Sequence, residues 1–193
     1  MSVLRLIDAA FRLDAKNAVG PLNLTLEAGE AIALGFDNSR EATIAARLAA
    51  ALIKATTGTV LIGDFDPRVQ PVQAKRLLGY VPAHAMLPPF HKVEDYFRFR
   101  ADLWEVERDH AVARGLKVLA RCRNPNTPYA ISLAGAFIRP CGLLVLDQPG
   151  LEYAEVARRE RDDGCAILTT HADESARASI DRALSAQVEN VLR

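Results

Sequence analysis

Little in this sequence points outward. Its 24 lysines and arginines are balanced by 24 aspartates and glutamates, so the formal net charge is zero. That leaves no excess of positive charge to hold nucleic acid or an anionic membrane surface. Only three cysteines occur, Cys122, Cys141 and Cys165. An odd number without metal-ligand spacing argues against a disulfide framework or a zinc site and fits a reducing compartment. No apolar run approaches the roughly 20 residues that span a bilayer, and Met1–Asp8 holds none long enough for a secretory signal. Internal repeats and low-complexity tracts are missing too. What is present is ordinary globular usage, 50% apolar and 25% charged over 193 residues. Such a chain can bury one sizeable core, or a core with a small subdomain. The expectation is a cytoplasmic protein without direct membrane insertion or a nucleic-acid partner.

The stretch Glu30–Ile53 organises the rest. Ala31–Leu34 is an apolar run of strand length, followed by Gly35 and the polar string Asp37-Asn38-Ser39. A helical run follows, in which Ile44, Leu48 and Leu52 recur every four residues and are expected on one face. Strand, glycine turn and helix make the frame of a phosphate-binding loop, where amides at a helix N-terminus cradle phosphates. That motif requires G-x-x-x-x-G-K-[ST]. Counting from Gly35 puts Arg40 at the second glycine, Glu41 at the lysine and Ala42 at the hydroxyl position. The frame is there without its chemistry.

Along the chain, Val3–Ile7 reads as a strand, Leu22–Leu26 alternates as a half-buried one, and Thr59–Ile62 is a third after the Thr57-Gly58 turn. Pro71–Leu78 suggests a short helix ending near Gly79. A helix-rich middle spans about Val93 to Ala120, and Arg121–Pro128 is turn chemistry. Ser132–Ile138 reads as helical, Leu143–Leu146 as a buried strand ending in Asp147, Val156–Arg161 as a charged helix and Ala166–Thr169 as a strand leading to His171. Alternating strands and helices predict an α/β fold with a largely parallel sheet.

With these landmarks in order, the chain resembles the ATP-binding cassette subunit of ABC transporters over nearly its whole length. Phe11 stands where the family stacks an aromatic on adenine. Leu26–Glu30 resembles the approach to the phosphate loop, and Gly58–Gly63 the strand after its helix. Gly79–Pro82 resembles the lead-in to the glutamine loop, Leu143–Pro149 the second phosphate motif, and Leu168–His171 the switch histidine. The resemblance implies a P-loop NTPase-like fold, a mostly parallel sheet flanked by helices. It also implies one cassette-like domain over 1–193, with a shortened helical subdomain at roughly 88–138. It further implies a second cassette subunit and a membrane-embedded permease as partners, and a place at the inner face of the membrane.

Departures from the family are as informative. Ala83 replaces the loop glutamine. Asn124–Ser132 stands in place of the signature segment, without the two glycines that approach the partner's nucleotide. Gln148 replaces the catalytic glutamate, and Glu152 is the candidate for the aspartate of the shortened loop beyond it. A glutamate facing phosphate repels it by roughly 4 kcal/mol at about 4 Å and an effective dielectric of about 20, where lysine attracts by as much. Ala42 supplies no magnesium ligand and Gln148 no proton-accepting carboxylate. No catalytic set is intact at Asp147, Gln148 and His171. Any ATP site is limited to a weak one built from Phe11, Gly35, Asn38, Ser39, Arg40 and Thr43, with no required cofactor and no metal. Asp147 also reads as a turn cap, His171 as a structural histidine and Phe11 as core. The function implied is an inactive regulatory or structural partner of an export system. The alternatives are a weak ATPase in which Arg40 replaces the lysine, and a soluble pseudo-cassette without a membrane partner.

One further stretch carries a binding expectation. Phe90–Trp104 holds Phe90, Tyr96, Phe97, Phe99 and Trp104, five of the twelve aromatics. On a helical wheel Val93, Tyr96, Phe97, Leu103 and Trp104 share a face, with Arg100 in its middle. A core-facing helix explains the rings but not the arginine. In the family this region receives a helix of the membrane subunit, so Phe90, Tyr96, Phe99 and Arg100 are the expected docking residues.

Overall fold

Two sheets and a set of helices build the molecule, and the computed structural model describes residues 2–185. β1 (Ser2–Arg12) lies between β2 (Ala18–Glu27) and β4 (Thr57–Ile62) in a three-stranded antiparallel sheet. β3 (Ala31–Gly35), β7 (Ala166–His171), β6 (Leu143–Asp147) and β5 (Leu78–Val81) form a four-stranded parallel sheet in that order. The α/β class and the parallel sheet flanked by helices are thus as expected, but the strands divide between two sheets. β5 is a strand where the sequence suggested only the end of a helix: α2 (Pro71–Leu77) runs into it without an intervening turn.

Every residue of β6 and β7 is buried, as suits central parallel strands covered on both faces. Their period of two divides the core. Leu143, Val145, Ala166 and Leu168 face one side, towards α1 (Ser39–Ala49) and the antiparallel sheet. Leu144, Leu146 and Ile167 face the other, towards α5 (Pro128–Ala136), α6 (Ala154–Asp162) and α7 (Glu174–Ser185). α1 touches strands of both sheets. A helix enclosed on two sides needs small side chains, which accounts for buried Ala42, Ala45, Ala46 and Ala49 around Ile44 and Leu48. The helix ends at Ala49, one turn short of the sequence expectation, and Leu52 lies beyond it with 51% of its surface exposed.

α3 (Val93–Trp104) and α4 (Arg108–Leu119) pack against α5. Tyr96 and Phe97 press on glycines of the two neighbouring helices. A Cβ on Gly115 would come within 2.8 Å of the Phe97 ring, and one on Gly135 within 2.7 Å of Tyr96. Glycine is required at both positions by close approach. Leu103 departs from the wheel and is 62% exposed.

Two buried charges tie these helices to the rest. Arg139 donates to the carbonyl oxygens of Lys75 and Leu78, each at 3.0 Å, and to that of Arg76. It thereby satisfies the free carbonyls at the C-terminus of α2. Its guanidinium also lies 4.2 Å from the Trp104 ring centre. Glu160 of α6 is buried between Arg114 at 3.6 Å and Arg121 at 3.4 Å. Burial raises its carboxyl above the ordinary value, against the pull of the two arginines.

Candidate functional site

The site lies where the parallel strands end. Gly35 pairs with His171 and Asp147 with Thr170, so the last residues of β3, β7 and β6 form one rim. The α1 N-terminus stands over that rim, the position where open α/β sheets hold ligands.

Asn38 is the N-cap of α1. Its side-chain oxygen accepts from the amides of Arg40 (3.1 Å) and Glu41 (3.0 Å), and its carbonyl from the amide of Ala42 (3.1 Å). Amides that a phosphate loop turns towards its ligand are here bonded to the chain itself. The sequence carried a signal for this, because Asn38-x-x-Glu41 has the spacing of a helix-starting capping box. Arg40 is exposed, and its charge helps to hold the Asp14 carboxyl below its ordinary value, after the larger effects of the Asn17 side chain and the Lys16 amide. Glu41 is half-buried and lines a cleft with Phe36 and the β2 segment from Ala18 to Leu22. Ala42 is wholly buried.

Asp147 is 1% exposed. The Thr43 hydroxyl donates to its Oδ1 at 3.1 Å and the Tyr80 hydroxyl to its Oδ2 at 3.3 Å. Gln148 turns its amide nitrogen back towards Thr43 Oγ1 (3.2 Å) and the Ser39 carbonyl (3.3 Å). Its φ of +48° is the left-handed region that side chains other than glycine seldom adopt. Burial, with the Asp147 charge adding to it, pushes the Tyr80 phenol up to about 12. Thr43, Asp147 and Gln148 thus belong to one closed hydrogen-bonded group. Tyr80 is the member that sequence reasoning missed, since it was read only as part of a lead-in.

His171 is 2% exposed, with Nε2 2.9 Å from Thr169 Oγ1. The two residues share a face of β7 because they are two apart. Burial first, then Arg177, lowers the imidazole below its ordinary value, so it is neutral at pH 7. Phe11 pairs with Val19 across β1 and β2 and packs, half-buried, on the core beneath the antiparallel sheet. Ser39 and Gln148 line a shallow cleft with His171. The signature-like turn ends at Thr127, whose side chain caps the Ala130 amide of α5 at 3.1 Å. Ile131 and Ser132 lie inside that helix.

On α3, Tyr96 is buried and Phe99 is 42% exposed. The Phe90 ring lies 5.7 Å from Tyr96 and 5.6 Å from Phe99. Arg100 approaches Tyr96, with Nη1 3.4 Å from the hydroxyl, and its buried Nε has no hydrogen-bond partner. Among the described residues no helix is long and apolar enough to cross a membrane.

No protein-family model matches the chain. It is 28% identical over 157 residues to the probable multidrug ABC transporter ATP-binding protein YbhF of Escherichia coli K12, and equally to that of Shigella flexneri. Each alignment takes in 75% of this chain and 27% of the relative, so the chain spans about a quarter of the length of the curated relatives it matches. Among solved structures, an ABC transporter ATP-binding subunit superposes with a TM-score of 0.73 at 18% identity, covering 87% of this chain and 78% of its own. CbiO1 of Clostridium perfringens, part of the cbiONQ transporter complex, gives 0.71 at 16% identity, with coverages of 89% and 79%. The cassette MJ0796, solved as a dimer with ADP and phosphate, gives 0.70 at 15% identity, with coverages of 93% and 91%. The chain has the ATP-binding-cassette fold and is similar in sequence to ATP-binding proteins of ABC transporters.

Proposed function

We propose that this protein is a cassette subunit of an ABC export system that does not hydrolyse ATP and acts as a regulatory or structural partner. The observation that carries the reading is the start of α1. Asn38 occupies the amides of Arg40 and Glu41, and Glu41 stands at the lysine position. These residues do not fit a magnesium triphosphate. The helix N-terminus is already capped, and Glu41 puts an anion where the phosphates would need a cation. The buried carboxylate at this rim, Asp147, is engaged by Thr43 and Tyr80. Gln148 is neutral and cannot take a proton from water as a carboxylate can. Binding, metal and base are lost separately, so no single substitution restores turnover. The exposure of Arg40 also weighs against a weak ATPase in which it replaces the lysine.

For partners, the dimeric cassette and the transporter complex among the similar structures support pairing with a second cassette and a permease. Phe99 and Arg100, an exposed ring beside a guanidinium whose Nε has no partner, support a docking surface on α3. Steady-state ATP turnover by the purified protein tests the central reading. The expected result is no activity above background, and weak, magnesium-independent ATP binding in calorimetry. Tight magnesium-dependent binding, or turnover abolished by Asp147→Asn, would overturn it. Copurification with a polytopic membrane protein tests the partner.

A further inference from the structure

An apolar hollow lies at the opposite end of α1 from the strand rim, roughly 16 Å away at about 1.5 Å per helical residue. It encloses about 230 Å³, and its accessible lining is more apolar than polar. Val60 and Ile62 of β4 and Ala74 of α2 line it, all three buried, beside Ala50, Ala51 and Ala55. Four of those six are alanines, so the space exists because small side chains stand where larger ones would fill it. The α2 wall is held in place, since the Lys75 carbonyl accepts from Arg139 at 3.0 Å. The charged residues lining the hollow are Lys54, Asp66, Arg68 and Lys75. Arg68 and Asp66 neutralise each other, with Nη2 donating to Oδ2 at 2.7 Å and Nε to Oδ1 at 3.1 Å. Lys54 and Lys75 are exposed, and their ammonium groups make no ion pair or hydrogen bond among the described residues.

Water gains little in such a space, because a bound water needs two or more polar partners. The volume exceeds the roughly 150 Å³ that accommodates a benzene ring and falls short of the roughly 300–1,000 Å³ of pockets for drug-sized ligands. One ring or a short alkyl chain fits, and a nucleotide or a full lipid chain does not. The unpaired charge around the hollow is positive, which selects an anionic head group. The C-terminal end of α1 carries the negative end of the helix dipole, so that head group belongs beside the lysines and not inside. We infer that this hollow binds a small organic acid, with its apolar body among the alanines and its carboxylate met by Lys54 and Lys75. The inference goes beyond the proposed function and does not depend on whether ATP binds.

The test is calorimetric titration of the full chain with benzoate and with hexanoate, beside benzamide, hexanamide and acetate. The expected result is saturable binding of at least one of the two longer acids, several-fold tighter than its neutral amide. Acetate, which has the charge without the apolar body, should not saturate. Lys54→Gln with Lys75→Gln should remove the preference for acid over amide while amide binding persists. Both lysines are exposed and glutamine is also a good helix former, so far-UV circular dichroism should be unchanged. Ala55→Leu, at a half-buried position, should fill the hollow and abolish binding of acid and amide alike. No saturable binding of either longer acid, equal binding of acid and amide, or acid binding indifferent to these substitutions overturns the inference.

Discussion

Replacing the missing lysine and hydroxyl should not by itself rebuild a nucleotide site, because Asn38 still holds the amides. Glu41→Lys with Ala42→Ser exchanges repulsion for attraction. Each sign is worth roughly 4 kcal/mol at about 4 Å and an effective dielectric of about 20, and less at this half-open rim. The double variant should therefore gain affinity for magnesium ATP over the wild type. Adding Asn38→Gly releases the amides of Arg40 and Glu41, now bonded to the Asn38 side chain at 3.1 and 3.0 Å. Hydrogen bonds to a charged group contribute about 1.5–3 kcal/mol each. After the cost of reshaping the loop, the triple variant should bind at least about tenfold tighter than the double, which corresponds to about 1.4 kcal/mol. The substitution itself should cost little, since glycine is only a few tenths of a kcal/mol poorer than asparagine as an N-cap, or about 1 °C in melting temperature. Calorimetry with magnesium ATP beside melting curves makes the comparison. Equal affinities for the double and triple variants would refute the argument that the capped amides limit binding. Neither should hydrolyse ATP while Gln148 stands.

Glu160 predicts a pH dependence. Burial raises its carboxyl above the ordinary value of 4.5, so its contribution is fully present below that value and is lost as pH rises through the higher folded-state value. The melting temperature of wild type relative to Glu160→Gln should therefore improve as pH falls from 7 towards 4.5, and a flat difference would count against it. Arg139→Ala should destabilise by roughly 3 kcal/mol, because several carbonyls lose a charged donor, and lower the melting temperature by about 6–12 °C. The emission of Trp104, the only tryptophan, should shift as the guanidinium leaves its ring; unchanged emission and melting would show that the clamp is idle. Phe99→Ala and Arg100→Ala should weaken association with a membrane subunit while leaving the fold intact, the former because Phe99 is already 42% exposed. If both variants bind normally, or if both only lower the melting temperature, the stretch serves the fold and not docking.

The local patterns of this chain were sufficient for its local structure. The alternation in Leu22–Leu26 reports one buried face, and the continuous apolar run Leu143–Leu146 reports two. The order of the landmarks around Gly35, Asp147 and His171 indicated the cassette fold, because each is short, contiguous and fixed by what a strand end or turn demands. The start of α1 was legible too, in Asn38-x-x-Glu41. Its consequence for the amides was not read, because a motif frame and a capping box share the same helix start. Tertiary structure decided the rest. The division into two sheets depends on pairings between distant strands, which no period within one strand encodes. β5 follows α2 without turn punctuation, and only its pairing with β6 makes it a strand. Leu52 continues a four-residue period that the real helix end interrupts. The state of Asp147 depends on Thr43, 104 residues away, and Tyr80, 67 residues away. Side chains so far apart in sequence meet only when parallel strands bring their ends to one rim, so composition and spacing could nominate these residues but could not say which atoms they would engage.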